Sequence, residues 1–442
     1  MTPVALPAWD QVLAATTPQR VGQVDSVVGL GVQVRGLRCA VGEMVLIGDE
    51  PGSPAEVVAL DSGMAQCMPL GEIEGLREGA PVRGTGRPAT VPVGPALLGR
   101  VIDAVGRPID GKGPIFAADH VSVNALAPNA LERARIDTPM SVGVRVLDTL
   151  VTLGRGQRIG LFAGSGVGKS TLLSMIARGT TAEVCVIALV GERGREVREF
   201  LEDDLGPEGL SRSVVVVATS DETPMLRKRA AFTATRIAEY YRDAGRHAVL
   251  MMDSMTRTCM AQREIGLSVG EPPATRGYPP STFSMMAQLL ERAGCGVFGS
   301  VTGIYTVLVD GDDHNEPIAD QARSILDGHV VLDRKLAVAG HYPSIDALGS
   351  VSRVATKVCT PEQKALAAKL RQVMSAKRSV QDLIDVGAYQ EGTNPMVDAA
   401  VTNDDAIEAF LCQAIGEIPS YDESWEQLDV LLNQIGMGVR AA

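Results

Sequence analysis

The sequence predicts an α/β protein: a mostly parallel sheet covered on both faces by helices, with a small β domain before it and a helical region after it. Three observations carry that prediction. Over residues 95–359, short apolar runs alternate with longer amphipathic ones, as buried strands and their crossover helices do. Inside that stretch the residues AGSGVGKS, at 163–170, follow an apolar run and precede a helical one. Outside it the apolar period changes, to two on the N-terminal side and to 3.6 on the C-terminal side.

The chain has 442 residues, enough for two or three domains, and carries a net charge of −12. That acidic balance weighs against a nucleic-acid motor, which shows a basic footprint. No apolar run approaches the length of a membrane span, and MTPVALPAWDQ lacks a basic segment followed by a hydrophobic core, so no secretory signal is expected. Seven cysteines (Cys39, Cys67, Cys185, Cys259, Cys295, Cys359 and Cys412) are scattered without a C-x-x-C pair. Such a set fits reduced thiols in the cytoplasm better than disulfides or a zinc site. The five histidines are equally dispersed, so no transition-metal cluster is expected.

In chain order, Trp9, Val12 and Leu13 fall at i, i+3, i+4 and give residues 8–15 a small apolar helical face. That face either docks a partner or packs back onto its own chain. Over residues 21–93, Val28, Leu30, Val32 and Val34 alternate with Gly29, Gly31, Gln33 and Arg35, which predicts a half-buried strand. EMVLI and AEVVAL follow between Gly/Asp/Pro turns, so a barrel or a sandwich is expected. Strands of the central sheet are expected at 157–163, 184–190, 214–218, 248–252 and 300–309, and a long helix at 225–242. From about Thr360 the pattern is helical: Leu366, Leu370, Val373 and Met374 share one face, and Trp425, Leu428, Leu432 and Ile435 another, ended by Gly436. These stripes are read as packing.

The 163–170 segment is built to hold phosphates. QRIGLFA before it reads as a strand, and STLLSMIAR after it as a helix carrying Leu172, Leu173, Met175 and Ile176 and stopping at Gly179. Strand, glycine-rich loop and helix in that order form the P-loop context. Gly164, Gly166 and Gly168 let the backbone curl so that consecutive N–H groups face a β-phosphate, and the helix dipole adds to their pull. Lys169 is expected to bridge the β- and γ-phosphates and the Ser170 hydroxyl to ligate Mg²⁺. Ala163, Gly164, Ser165, Gly166, Val167, Gly168, Lys169, Ser170 and Thr171 are therefore the expected nucleotide-binding residues. Ala163 stands where the pattern has glycine, a mild change at the end of the strand.

Hydrolysis further requires a group to polarise water, a second holder for the metal and a cation for the transition state. VCVIALV runs into GERGRE, which puts Glu192 at the carboxyl end of a strand, with Arg193 and Arg195 beside it. That position suits a water-activating base; the competing reading is a surface ion-pair cluster. HAVLMMDS ends an apolar strand in Asp253, the Walker B arrangement for Mg²⁺, against the alternative of an Asp capping the next helix. HYPSIDALGSVSR offers an aromatic and an arginine on a Pro/Gly/Ser-rich loop. Tyr342 could stack on a base; Arg353 is either a finger or a surface charge.

PSIDALGSVS, at 343–352, resembles the signature of the ATP synthase α/β superfamily of ring ATPases. DETPMLRKRAAFTATRIAEYYRD, MAQREIGLSVGEPPATRGYPPSTF, GDDHNEPIAD and RSILDGHVVLDRKLAVAGHYPSID are similar to the flagellum-specific and type III secretion export ATPases, the flagellar branch above all. The resemblance runs from about Val21 to the helical end. It implies an N-terminal β-barrel (21–93), a RecA-like ATPase domain (94–359) and a C-terminal helical domain (360–442), assembled as a homohexamer. Carried over, Glu192 is the water-activating glutamate with Arg193 beside it, Lys169 the P-loop lysine, and Ser170 and Asp253 the Mg²⁺ positions. Tyr342 is the aromatic that packs on adenine, and Arg353 the finger that reaches the neighbouring subunit's site.

The resemblance also implies partners: a stalk-like regulator at residues 1–20, a coiled-coil stalk at the C-terminal domains, an export gate and substrate–chaperone complexes. The protein is then expected in the cytoplasm, peripherally at the membrane, hydrolysing ATP to assist export. Rival readings are an injectisome ATPase, a catalytic subunit of a rotary proton-translocating synthase, a non-catalytic ring subunit and an RNA-translocating ring. Glu192 opposes the non-catalytic subunit, and GEPPATRGYPP the synthase.

Overall fold

The computed structural model describes residues 20–49, 51–309 and 316–439, and the chain divides into two compact units. The Trp9 segment, with its expected partner-binding face, lies outside the described residues, as does part of GDDHNEPIAD.

The first unit is a closed barrel of six antiparallel strands, in the order Arg20–Val28, Gly31–Arg35, Met64–Pro69, Ser53–Asp61, Glu43–Ile47, Pro81–Pro88 and back to the first. Alternate residues point inward, and Val24, Val32, Val34, Val45, Ile47, Val57, Cys67 and Val82 fill the interior. Closure leaves no unpaired edge, so the barrel, not the sandwich, is the outcome.

The alternation across Val28 to Val34 is not one strand. Val28 pairs with Gly31 across a turn at Gly29 and Leu30, where Gly29 has φ +57°. A two-residue turn sets Val28 opposite Gly31 on one face, so an apolar alternation that continues through it in the sequence changes face at the hairpin. Val28 and Leu30 consequently stand 66% and 41% exposed, while Val32 and Val34 are buried.

The second unit holds the α/β sheet. Its strands run in the order Val351–Ser352, Gly328–Leu332, Arg158–Ala163, Ser300–Leu308, His247–Asp253, Val184–Glu192, Ser213–Thr219 and Arg100–Asp103. All neighbours are parallel except the short edge strand Val351–Ser352. Gly294–Cys295 pairs antiparallel with Ser300–Leu308 off this path. The central strands are buried along nearly their whole length, as in a sheet with helices on both faces: Val186, Val216, Leu250 and Met251 are fully buried.

Parallel pairing fixes where the chemistry gathers. Leu189 pairs with Asp253 and Met252 with Tyr305, so the strands ending at Ala163, Glu192 and Asp253 open on one edge. The helix Lys169–Gly179 follows the first of them, and Pro224–Asp243 packs behind, started by a Thr223 side chain that accepts from the Leu226 N–H.

The C-terminal helices Pro361–Ser379, Pro395–Thr402, Asp404–Leu411 and Tyr421–Gln434 complete this unit. Thr360 with Gln363 and Ser420 with Glu423 form capping boxes at the first and last. Leu370, Val373, Phe410, Trp425, Leu428 and Leu432 join the same hydrophobic core as Leu172, Leu173, Met175 and Ile176 of the P-loop helix. Arg145 ties the two regions: its guanidinium donates to the Phe410 and Cys412 carbonyls at 3.0 and 2.6 Å and to Glu417 and Gln427 at 2.6 and 2.9 Å. Among the described residues no helix is long and apolar enough to cross a membrane.

Candidate active site

The strand Arg158–Ala163 ends in the glycine loop, where Gly166 and Gly168 adopt φ of +75° and +89° and bend the chain into the helix that starts at Lys169. A side chain would be strained at either position. The loop is braced from below: the Ser344 hydroxyl donates to the Val167 carbonyl at 2.6 Å. The Val167 side chain is buried in the core and does not line the cavity, so any contribution it makes to ligand binding is through its backbone.

A cavity of about 840 Å³ opens over this loop. Its lining includes a charged group, Lys169, Glu192, Arg193, Glu196 and Arg257, and a second group, Tyr342, Pro343 and residues 413–415. Lys169 Nζ lies 2.6 Å from Asp253 Oδ1 and 3.5 Å from Glu192 Oε1. Thr306 Oγ1 donates to the same Asp253 oxygen at 2.8 Å. Asp253 thus faces the P-loop lysine, while at the start of the next helix it is the Ser254 hydroxyl that accepts from the Arg257 N–H, at 3.2 Å; Glu192 likewise faces Lys169 and not the surface arginines. Those arginines pair elsewhere, Arg193 with Glu196 at 3.1 Å and Arg195 with Glu199 at 3.6 Å. Arg193 still borders the cavity.

Burial would lower the Lys169 pKa, but the Asp253 and Glu192 carboxylates outweigh it and hold the ammonium above its usual range. Glu192 is moved the other way from an ordinary surface carboxylate. Burial raises its pKa, Lys169 opposes, and Asp253 and a hydrogen bond with Glu196 reinforce the rise. A carboxylate with a raised pKa is a better proton acceptor than a free one, which suits general-base work.

Tyr342 is 46% exposed, and its ring lies against the loop: a Cβ on Gly168 would meet Cδ1 and Cε1 at 3.4 Å. Arg353 is exposed, is held through Nη2 to the Arg323 carbonyl at 3.2 Å, and does not line the cavity of its own chain.

Three features escaped the sequence reading. Arg257, four residues beyond Asp253, lines the cavity, and its stem covers Gly191, where a Cβ would stand 3.0 Å from the Arg257 Cβ. Thr306 holds Asp253 from a neighbouring strand, Ser300–Leu308, whose sequence does not single this threonine out. Residues 413–415 reach the cavity from the C-terminal region, for which no local signal exists.

Parallel strands presenting a phosphate loop, an acidic strand end and a glutamate on one edge define a P-loop nucleoside triphosphatase. Comparison with known proteins narrows the class. The model of the ATP synthase alpha/beta family matches residues 24–86 as its beta-barrel domain and residues 143–352 as its nucleotide-binding domain. The T3SS EscN ATPase C-terminal domain matches residues 359–430.

The chain is 48% identical over 413 residues to a type 3 secretion system ATPase of Xanthomonas euvesicatoria, covering 93% of each chain. It is 49% identical over 410 residues to a flagellum-specific ATP synthase of Bacillus subtilis (strain 168), covering 92% of this chain and 94% of that one. A solved structure of the assembled ATPase EscN of enteropathogenic E. coli, in complex with its central stalk EscO, is 43% identical with a TM-score of 0.87, over 93% of this chain and 100% of that one. The chain belongs to the ATP synthase α/β family, among its flagellum-specific and type 3 secretion ATPases, and is a P-loop ATPase.

Proposed function

We propose that this ATPase serves a flagellar type III export apparatus, its ATP hydrolysis assisting delivery of unfolded or chaperone-bound substrates. The observation that carries the catalytic part is the Glu192 carboxylate 3.5 Å from Lys169 Nζ at the phosphate loop. In this reading Glu192 polarises the attacking water, Lys169 and the loop amides of residues 163–171 hold the phosphates, and Tyr342 stacks on the base. Arg193 and Arg257 add positive charge near the γ-phosphate. A divalent cation fits the donor set, since the Ser170 hydroxyl and the Asp253 carboxylate are hard oxygens of the kind Mg²⁺ takes. Bound there, it would neutralise charge developing on the phosphates.

Arg353 completes the site from a neighbouring subunit in this reading, since it does not line the cavity of its own chain. A homohexameric ring then follows: each seam combines one chain's Glu192 with the next chain's Arg353. That the related EscN was solved as an assembly with a central stalk supports the ring and a coiled-coil stalk at the C-terminal helices, residues 360–442. Residues 1–20 are assigned to a stalk-like regulator, and the ring to the cytoplasmic face of the membrane, beside the export gate. Near-equal identity to flagellar and type 3 secretion relatives makes an injectisome role the second reading.

The test is turnover per subunit across a dilution series that spans assembly. Activity per chain should rise steeply as rings form, since a finger supplied in trans contributes about 10³–10⁵ in rate. Flat turnover would remove the shared site.

A further inference from the structure

The loop that carries Tyr342 is held from its far side by the C-terminal helices. His341 is 6% exposed, and its Nδ1 lies 2.5 Å from Oε2 of Glu408, a residue of the helix Asp404–Leu411. The hydrogen bond from His341 holds the Glu408 carboxyl below its usual range, against burial. Just past that helix, the Gln413 N–H donates to the Tyr342 carbonyl at 2.9 Å. Gln413 is itself fixed, its Oε1 accepting from the Arg145 N–H at 2.9 Å and its Nε2 donating to the Gly143 and Glu417 carbonyls at 2.7 Å. With the Tyr342 ring against Gly168, four residues (Glu408, His341, Tyr342, Gly168) connect a C-terminal helix to the phosphate loop.

His341, Glu408 and Cys412 also bring three possible metal-ligand atoms within 4.8 Å of one another. No spacing in the chain marks this group, whose members stand at 341, 408 and 412. Its geometry is that of a hydrogen bond and not of a metal centre. Two ligands with ~2.0 Å bonds to one tetrahedral ion stand about 3.3 Å apart, whereas Nδ1 and Oε2 are at 2.5 Å. Burial and the Glu408 charge also raise the Cys412 thiol, which disfavours the thiolate a metal would need.

We propose that Glu408 is a positioning residue for the base of the nucleotide: through His341 it sets the Tyr342 ring over the site, so that affinity for the base answers to the position of the C-terminal helices. The inference rests on Tyr342 as the base platform. A half-exposed ring has little core packing to fix its rotamer, so its orientation depends on how its backbone is held. Here the His341 N–H donates to the Leu336 carbonyl at 3.0 Å, and two further clamps, the His341 side chain and the Tyr342 carbonyl, end on residues 408–413. Glu408 does not line the cavity, so its influence is expected where Tyr342 meets it; Ser344, which braces the phosphate loop from the same segment, is anchored separately, its carbonyl accepting from the Asp333 N–H at 2.8 Å.

The experiment compares E408A, E408Q and Y342A in the full-length assembled protein, measuring KM and kcat for ATP and inhibition by ADP and by inorganic tripolyphosphate, which has no base. E408A should raise KM for ATP and Ki for ADP by about fivefold or more, the effect of losing a charge-assisted hydrogen bond. Its kcat at saturation and its Ki for tripolyphosphate should stay within about twofold, since the phosphate contacts are intact. E408Q should recover most of the ADP affinity, because its amide oxygen still accepts the His341 proton. Y342A should weaken ADP and spare tripolyphosphate. If Y342A does so and E408A leaves ADP unchanged, or shifts both inhibitors equally, the positioning role is refuted while the platform stands. If Y342A leaves ADP unchanged, the platform fails and this inference with it.

Discussion

Lys169 Nζ and Asp253 Oδ1 lie 2.6 Å apart, and the Thr306 hydroxyl donates to the same oxygen at 2.8 Å. The ammonium that a nucleotide's phosphates require is therefore already engaged by the carboxylate assigned to the metal. Phosphate and carboxylate compete for one cation in a site where Asp253 is only 3% exposed, so water screens the competition weakly.

That competition separates two roles of Asp253. In D253N the hydrolysis of Mg–ATP should fall about 10–100-fold, the usual loss when a group that orients a metal's water shell is removed. Binding of ATP measured in chelator, without Mg²⁺, should hold or tighten, because a repelling carboxylate is gone and Lys169 is freer to meet the phosphates. Titration calorimetry with and without the cation distinguishes the two. Equal weakening in both conditions would show that Asp253 acts by holding the loop in shape, not through the metal.

The base of the sheet contains a pH-sensitive group remote from catalysis. His247 is 7% exposed; its Nδ1 is 2.7 Å from Ser300 Oγ and its Nε2 3.3 Å from Met140 Sδ. Burial, with help from Arg155 and against Glu183, pushes its pKa down to about 4. Between the unfolded value near 6.5 and that folded value, the unfolded chain binds a proton that the folded chain refuses. The stability His247 contributes is thus full above about pH 6.5 and is lost as pH falls toward 4, by about 3 kcal/mol in all. In H247Q this loss is absent. Melting curves of the two proteins from pH 8 to pH 5 should converge as acid is added, and parallel curves would rule out His247 as the titrating group.

What could be read from residue order follows from how local each signal is. The P-loop, Glu192 and Asp253 each sit within a few residues of an apolar strand end, so strand pattern and residue type suffice to place them on one edge. Tyr342 and Arg353 lie on a loop whose composition says little, and only the family phrase around them assigned roles. The Glu408–His341 pair spans 67 residues and the Arg145–Gln413 bond 268, so neither leaves a periodic trace. The barrel shows the opposite failure: its alternation was visible, but it continues through a two-residue turn at Gly29, where the faces exchange, and so hides a hairpin inside what reads as one strand.

A seam shared by two chains makes a sharper demand than loss of activity. E192Q alone should lose about 10²–10⁴ in kcat while still binding ATP, because the amide keeps the shape and not the basicity. R353A alone should lose about 10³–10⁵. Mixed before assembly, the two inactive proteins should recover turnover. A head-to-tail ring places each chain's site against one neighbour only. Where an R353A chain holds the site, its Glu192 is intact, and an E192Q neighbour still lends its Arg353. With equal amounts and random order, about a quarter of the seams are complete, and activity near that fraction is expected if seams work independently. If Arg353 served its own chain, every site in every mixture would lack one of the two groups. A mixture no more active than its components, in rings shown by light scattering to contain both chains, would therefore place the arginine outside the reaction or inside its own subunit.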